Sequence, residues 1–162
     1  MSFFKSKNTI AGVEPIITVS AKTVATVSNR VDIDTQIVEF EADPSSSLIA
    51  LVSRANTQDY SHRSKKGLVL VFDKNINSGT YSVTDQDFPF DSAYYFETGT
   101  IPGFTTSFQY KPVSGSINVE VVQNTPERLH YEIRFDLKCV DNRNEELKVV
   151  GKSTFIVLMR AM

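Results

Sequence analysis

The residues able to act as acids, bases, nucleophiles or metal ligands are few in this sequence, and they are scattered. There are two histidines, His62 and His130, and one cysteine, Cys139. Zinc sites draw on Cys and His at short spacings, and no H-x-H, H-E-x-x-H or Cys/His cluster is present. His62 lies in the basic run HRSKK (62–66), and His130 projects from the polar side of an alternating run. A Ser–His–Asp triad assembles in space, but the G-x-S-x-G elbow is missing and neither histidine has a local companion that suggests activation. The loops G-x-x-x-x-G-K-[ST] and G-x-G-x-x-G are missing too, together with the α/β alternation they need. No catalytic residue, metal ligand or cofactor is singled out, so a non-enzymatic role is the expectation. A hydrolase without a recognisable motif ranks third among the function classes.

Oxygen ligands come closest to a constellation in DQDFPFD, where Asp85, Asp87 and Asp91 fall together. Calcium wants roughly six to eight hard oxygens, and the glycine and distal glutamate of an EF-hand loop are absent at the required places. Aspartates also favour turns because they bond nearby backbone amides, so a turn is the expectation. No carboxylate pair stands out as the acid and base of a glycosidase.

Aromatics give the best functional lead. Phe88, Phe90, Tyr94, Tyr95, Phe96, Phe104, Phe108 and Tyr110 make up about half of the chain's aromatic residues. Core filling accounts for many of them. In AYYF, however, consecutive rings point to opposite faces of a strand, so at least one leaves the first core for a second layer, a subunit, a ligand or water. Tyrosine suits interfaces because it offers flat apolar area with a hydroxyl at its edge. Tyr94, Tyr95, Phe104 and Tyr110 are therefore the candidate ligand-binding residues, with ETGTIPGF (97–104) as the loop rimming the site.

The elements that must position these side chains are strands. Thr, Val, Ile, Tyr and Phe dominate, and no long window carries a 3.6-residue apolar stripe. LHYEIRFDLKC (129–139) alternates throughout, GSINVEVVQ (115–123) puts Ile117, Val119 and Val121 on one face, and LKVVGKSTFIVLM (147–159) does the same with Leu147, Val149, Phe155 and Val157. Joined by short polar turns, the three predict a C-terminal antiparallel meander with one buried and one wet face. Gly151 inside the last run suggests a bend, a bulge or a close neighbour. GLVLVF (67–72) is continuously apolar, as expected of a central strand covered on both faces. LIALV (48–52) is either the one short helix, capped by Ser47, or another buried strand. The whole predicts an all-β single domain, an antiparallel β-sandwich or flattened barrel of about eight to ten strands, with residues 1–8 as a loose extension.

Composition bounds the rest. The chain of 162 residues has a net charge of −2 and no basic stripe, which argues against a nucleic-acid partner. HRSKK reads as a solvated loop. One cysteine excludes an internal disulfide, and its place on the apolar side of a strand suggests a buried, inert thiol. No signal-peptide core appears near the start, and the longest C-terminal apolar run, FIVLM (155–159), is too short to span a bilayer, so a cytoplasmic location is the default, with export by another route still open. The leading expectation is a non-enzymatic binding module that holds a small apolar molecule, a glycan or a peptide at residues 88–110. The alternative is a structural protein that assembles through sheet edges with itself or another chain.

Overall fold

A computed structural model describes residues 3–4, 16–56, 65–101 and 104–160, with the backbone alone at 56, 100–101 and 104–106. The described residues form ten strands and no helix: β1 (Ile16–Val27), β2 (Ile33–Thr35), β3 (Val38–Ala42), β4 (Leu48–Asn56), β5 (Lys65–Asp73), β6 (Gly79–Ser82), β7 (Phe90–Ile101), β8 (Phe104–Asn124), β9 (Arg128–Val140) and β10 (Glu146–Arg160). They lie in one antiparallel sheet ordered β2-β1-β10-β9-β8-β7-β5-β4-β3, with β6 also paired to β8.

The sheet is curled, so that its two halves face each other over one core. Strand β8, 21 residues long, serves both. Phe104–Tyr110 pairs with β7, and from Lys111 onward the strand pairs with β9. The passage between halves is made at a bulge between Pro112 and Ser114, followed by Gly115 at φ +108°. A side chain at Gly115 would collide with the Asp136 carbonyl, and the left-handed backbone itself disfavours any L side chain there. A second bulge lies between Val121 and Gln123. The extra residues at the two bulges, Val113 and Val122, are about half exposed (51% and 50%), as expected of side chains displaced from the ladder. At the far ends, β1 and β2 are brought against β4. Thr35 Oγ1 donates to the Arg54 carbonyl (2.7 Å), Arg54 N donates to the Ile37 carbonyl (3.0 Å), and the Thr23 and Ser53 hydroxyls are 2.6 Å apart.

The C-terminal meander is present as expected. Odd-numbered residues Leu129 to Cys139 are buried, as are Ile117, Val119, Leu147, Val149, Phe155 and Val157. Gly151 is a site of close approach, since a Cβ there would meet Ala25 of β1 at 2.5 Å. From the facing half, Ile49, Leu51, Leu68, Leu70, Phe72, Ala93 and Tyr95 join the same core. Phe72 meets Tyr131 of β9 edge-on, with ring centroids 5.2 Å apart, a direct contact between halves. Each such side chain contributes about 1.5–3 kcal/mol by leaving water.

The open choice at LIALV resolves to strand. Ile49 and Leu51 face the main core, while Ala50 and Val52 are buried on the opposite side. Both faces are covered, which a helix with one apolar stripe would not require. GLVLVF behaves as expected for the same reason, with Leu68, Leu70 and Phe72 inward and Val69 and Val71 outward, all buried.

Candidate functional site

Strand β7 separates the rings of AYYF. Tyr95 points into the main core and is fully buried, whereas Tyr94 and Phe96 point to the outer face. Tyr95 stands opposite Tyr110 of β8, with ring centroids 5.7 Å apart. The structure thus brings Tyr95 and Tyr110 together in the interior and places half-buried Tyr94 on the other side of the sheet. Phe104 pairs with Ile101 through its backbone, and its side chain lies outside the described residues. In place of a rimming loop, Glu97–Ile101 completes β7 and Phe104 opens β8.

The two buried tyrosines are the apolar base of a closed polar ring at one end of the core. The Tyr95 hydroxyl donates to Glu97 Oε1 (2.8 Å), which also accepts from Arg30 Nε (2.6 Å). Arg30 Nη2 donates to Glu145 Oε1 (2.6 Å), and Arg143 Nη2 donates to Glu145 Oε2 (3.4 Å) and to the Tyr110 hydroxyl (2.9 Å). Arg143 Nε also reaches Asp141 Oδ2 (2.6 Å), and its guanidinium covers the Phe108 ring at 3.7 Å from the centroid. Beside the ring, Lys66 is only 4% exposed and donates to the Val31 and Asp32 carbonyls.

Burial and the Glu97 bond both raise the Tyr95 pKa. The bond to Glu97 raises Arg30 against its own desolvation. Burial lowers Lys66, although Glu97 and Asp32 oppose the shift. Each acid in the ring is matched by a base, and the two hydroxyls are engaged. Such a network locks the β1–β2 turn, β7, β8 and the β9–β10 turn together.

The outer face of the other half has a different character. Register places Glu41, Ala50, Val71 and Ser92 in one row across β3, β4, β5 and β7, and Glu39, Val52, Val69 and Tyr94 in the next. A third row holds Arg54, Gly67 and Phe96. The Phe96 ring lies over Gly67, where an added Cβ would come within 2.9 Å of the ring and collide with the Ser53 carbonyl. Ala50, Val52, Val69, Val71 and Phe96 form a buried apolar cluster, and Phe3, Phe4 and Tyr94 pack against it. The Phe3 and Phe4 amides donate to the two oxygens of the Glu41 carboxylate (2.8 and 3.0 Å). Beside Phe3, a cleft of about 310 Å³ continues between Glu39, Phe40, Glu41, Ala50 and Val52.

Of the segment expected to be loose, Phe3 and Phe4 are the described residues, and both are seated on this patch. Sequence reading missed Phe3, Phe4 and Glu41. The available signal was the double-sided apolar character of β4 and β5 in a chain with no convincing helix to cover them.

The remaining candidates carry little chemistry. Asp85, Asp87 and Asp91 are exposed, and Asp85 stands in a turn, donating its N–H to the Ser82 carbonyl (3.2 Å) and accepting from Phe88 N (3.2 Å). No group of three or more His, Cys, Asp or Glu among the described residues is placed to hold a metal. Burial pushes the Cys139 thiol up to about 12, so it is an inert core side chain. His130 is half-buried beside Glu132, with Nε2 3.4 Å from Oε1. Burial pushes the Glu132 carboxyl up, but bonds from Thr154 and Lys152 outweigh this and hold it below the usual range. His62 lies outside the described residues. No described helix is long and apolar enough to cross a membrane. Comparison with protein-family models, curated proteins and solved structures finds no match.

Proposed function

We propose that the protein is a non-enzymatic peptide-binding module, and that its site is the outer face of β3, β4, β5 and β7. One observation carries the reading: this face already holds an aromatic pair, Phe3–Phe4, at a bend in the chain and packed, like Tyr94, against Ala50, Val52, Val69, Val71 and Phe96. The Glu41 carboxylate accepts from both backbone amides of that pair. A carboxylate that accepts from two successive main-chain N–H groups fixes a bent segment without regard to its side chains, and the apolar floor then selects adjacent aromatic or large aliphatic residues. The cleft beside Phe3 extends the same surface. Among the ligand classes considered, a small apolar molecule has no donor for the Glu41 carboxylate, whereas a peptide supplies the backbone amides that the carboxylate already binds.

The test uses the full chain carrying Phe3→Ala and Phe4→Ala, which empties the patch. A fluorescent peptide with the sequence of residues 2–7 is titrated in and followed by anisotropy. Saturable binding is expected, weakened at least tenfold by the further change Val71→Lys. No binding at millimolar concentration to the folded double variant would refute the reading.

A further inference from the structure

We propose that the same face is also filled between molecules: the Phe3–Phe4 segment of one copy seats on the outer patch of a second copy, giving an arm-exchanged homo-oligomer. This rests on the peptide-binding reading and names the partner. The occupant seen on the patch belongs to this chain, and the contacts described for it can be made equally on a second molecule: two amides on Glu41 and two rings against Val52, Val69, Val71 and Phe96.

Reach permits it. Residues 5–15 separate Phe4 from the first residue of β1, and a stretch of that length spans roughly 40 Å when extended. A domain of this size has a radius of gyration of about 15 Å, so the segment is as long as the domain is wide. The contact joins two different surfaces, a segment and a patch. Reciprocal exchange between two copies fills both patches and closes, whereas one-way donation leaves an open chain. Because the contacts are the same within and between molecules, concentration decides between them. Short tethers hold effective concentrations on the order of millimolar, so the exchanged form grows in as the protein approaches that range.

The experiment removes the internal competitor. One full-length variant, Phe3→Ala with Phe4→Ala, keeps the patch but lacks the rings. Another, Val71→Lys, keeps the rings but places a charge in the patch, on the face that becomes solvated when the segment leaves. Native mass spectrometry of each alone should show monomer, and the mixture should show a 1:1 complex at least tenfold more abundant than any dimer of either variant. If the mixture stays monomeric at concentrations where the free segment peptide saturates the first variant, exchange is refuted and the binding reading stands. If the peptide itself fails to bind, both fall. A dimer of the first variant alone would place association elsewhere, at an edge such as β1, and would equally refute exchange.

Should either variant fail to fold, the wild-type chain with a benzoylphenylalanine photo-cross-linker at position 4 decides the matter. Heavy- and light-isotope copies are mixed at about 1 mM. Mixed-isotope cross-linked dimers support exchange, and cross-links confined to single chains overturn it.

Discussion

The two halves of the curled sheet share a core but differ in what they show on their outer faces. Across β9 and β10 the outer face is a charged ladder. Lys152 meets Glu132 at 3.2 Å, Lys138 meets Glu146 at 3.3 Å, and Lys148 meets Asp136 at 3.9 Å. Across β4, β5 and β7 the outer rows hold Ala50, Val52, Val69, Val71 and Phe96, with Phe3 and Phe4 upon them. Both halves satisfy the interior in the same way, through alternate side chains. What differs is the alternate set left over: one is ready for water as it stands, and the other needs a cover. That asymmetry places the candidate site on one half and not the other.

The comparison is broken most severely inside the meander. Phe135 is buried between β8 and β10 partners, and Phe135→Ala should cost about 3–5 kcal/mol, with Ile133→Ala somewhat less. Urea titration measures this, and a loss below about 1 kcal/mol would show that the meander is not the shared core.

Alkaline pH tests both halves together. Burial raises the pKa of Tyr95 in one half and Tyr131 in the other above the usual tyrosine value. In the folded chain both hydroxyls keep their protons, while in the unfolded chain they lose them near pH 10. Above that point the unfolded state binds fewer protons, so stability falls as pH rises, by about 1.4 kcal/mol per pH unit for each tyrosine. Urea midpoints at pH 9 and pH 11 should differ accordingly, and Tyr131→Phe should lower the slope by the share of one tyrosine, with Tyr94, Tyr110 and Cys139, whose pKa values burial also raises, carrying part of the remainder. An unchanged slope in that variant would mean that Tyr131 ionises freely.

Next in size is the polar ring. Glu97→Ala strips a partner from Arg30 and from the Tyr95 hydroxyl at once, and should cost about 2 kcal/mol. Glu97→Gln, which keeps an acceptor, should recover part of it. If both variants are silent in thermal melts, the ring is ornamental to the fold.

How far the sequence revealed this arrangement follows from the range of each interaction. The meander was legible because a half-buried strand writes its burial as period-2 alternation, visible in Leu129–Cys139 without knowledge of its neighbours. GLVLVF was legible as doubly covered, because apolar residues on both sides admit few other readings. LIALV was not resolved, since a short apolar run fits helix and strand alike until its pairing with β3 and β5 is known. In AYYF the alternation said that the rings part, but which of them enters the core depends on the pairing of Tyr95 with Tyr110. Arg30, Glu97, Arg143 and Glu145 come from three distant segments, and nothing local marks them as one network. Phe3–Phe4 announces only that it is apolar. Its seat is set by Glu41, whose role as a paired acceptor is invisible without the fold.

The sharpest form of the comparison uses the smallest effects, one on each outer face. Phe4 is half-buried on the patch, so Phe4→Ala should cost about 1 kcal/mol through lost apolar contact. It should also raise the binding of a hydrophobic dye, because the floor beneath is uncovered. Lys138, by contrast, is a solvated member of the charged ladder, with its side chain 51% exposed. Lys138→Ala should stay within about 0.5 kcal/mol and leave dye binding unchanged. The pair is informative because stability alone hardly separates the two variants, while dye binding does. If Phe4→Ala leaves dye binding at the wild-type level, the patch does not depend on the aromatic pair for its cover, and the distinction between the two outer faces loses its functional meaning.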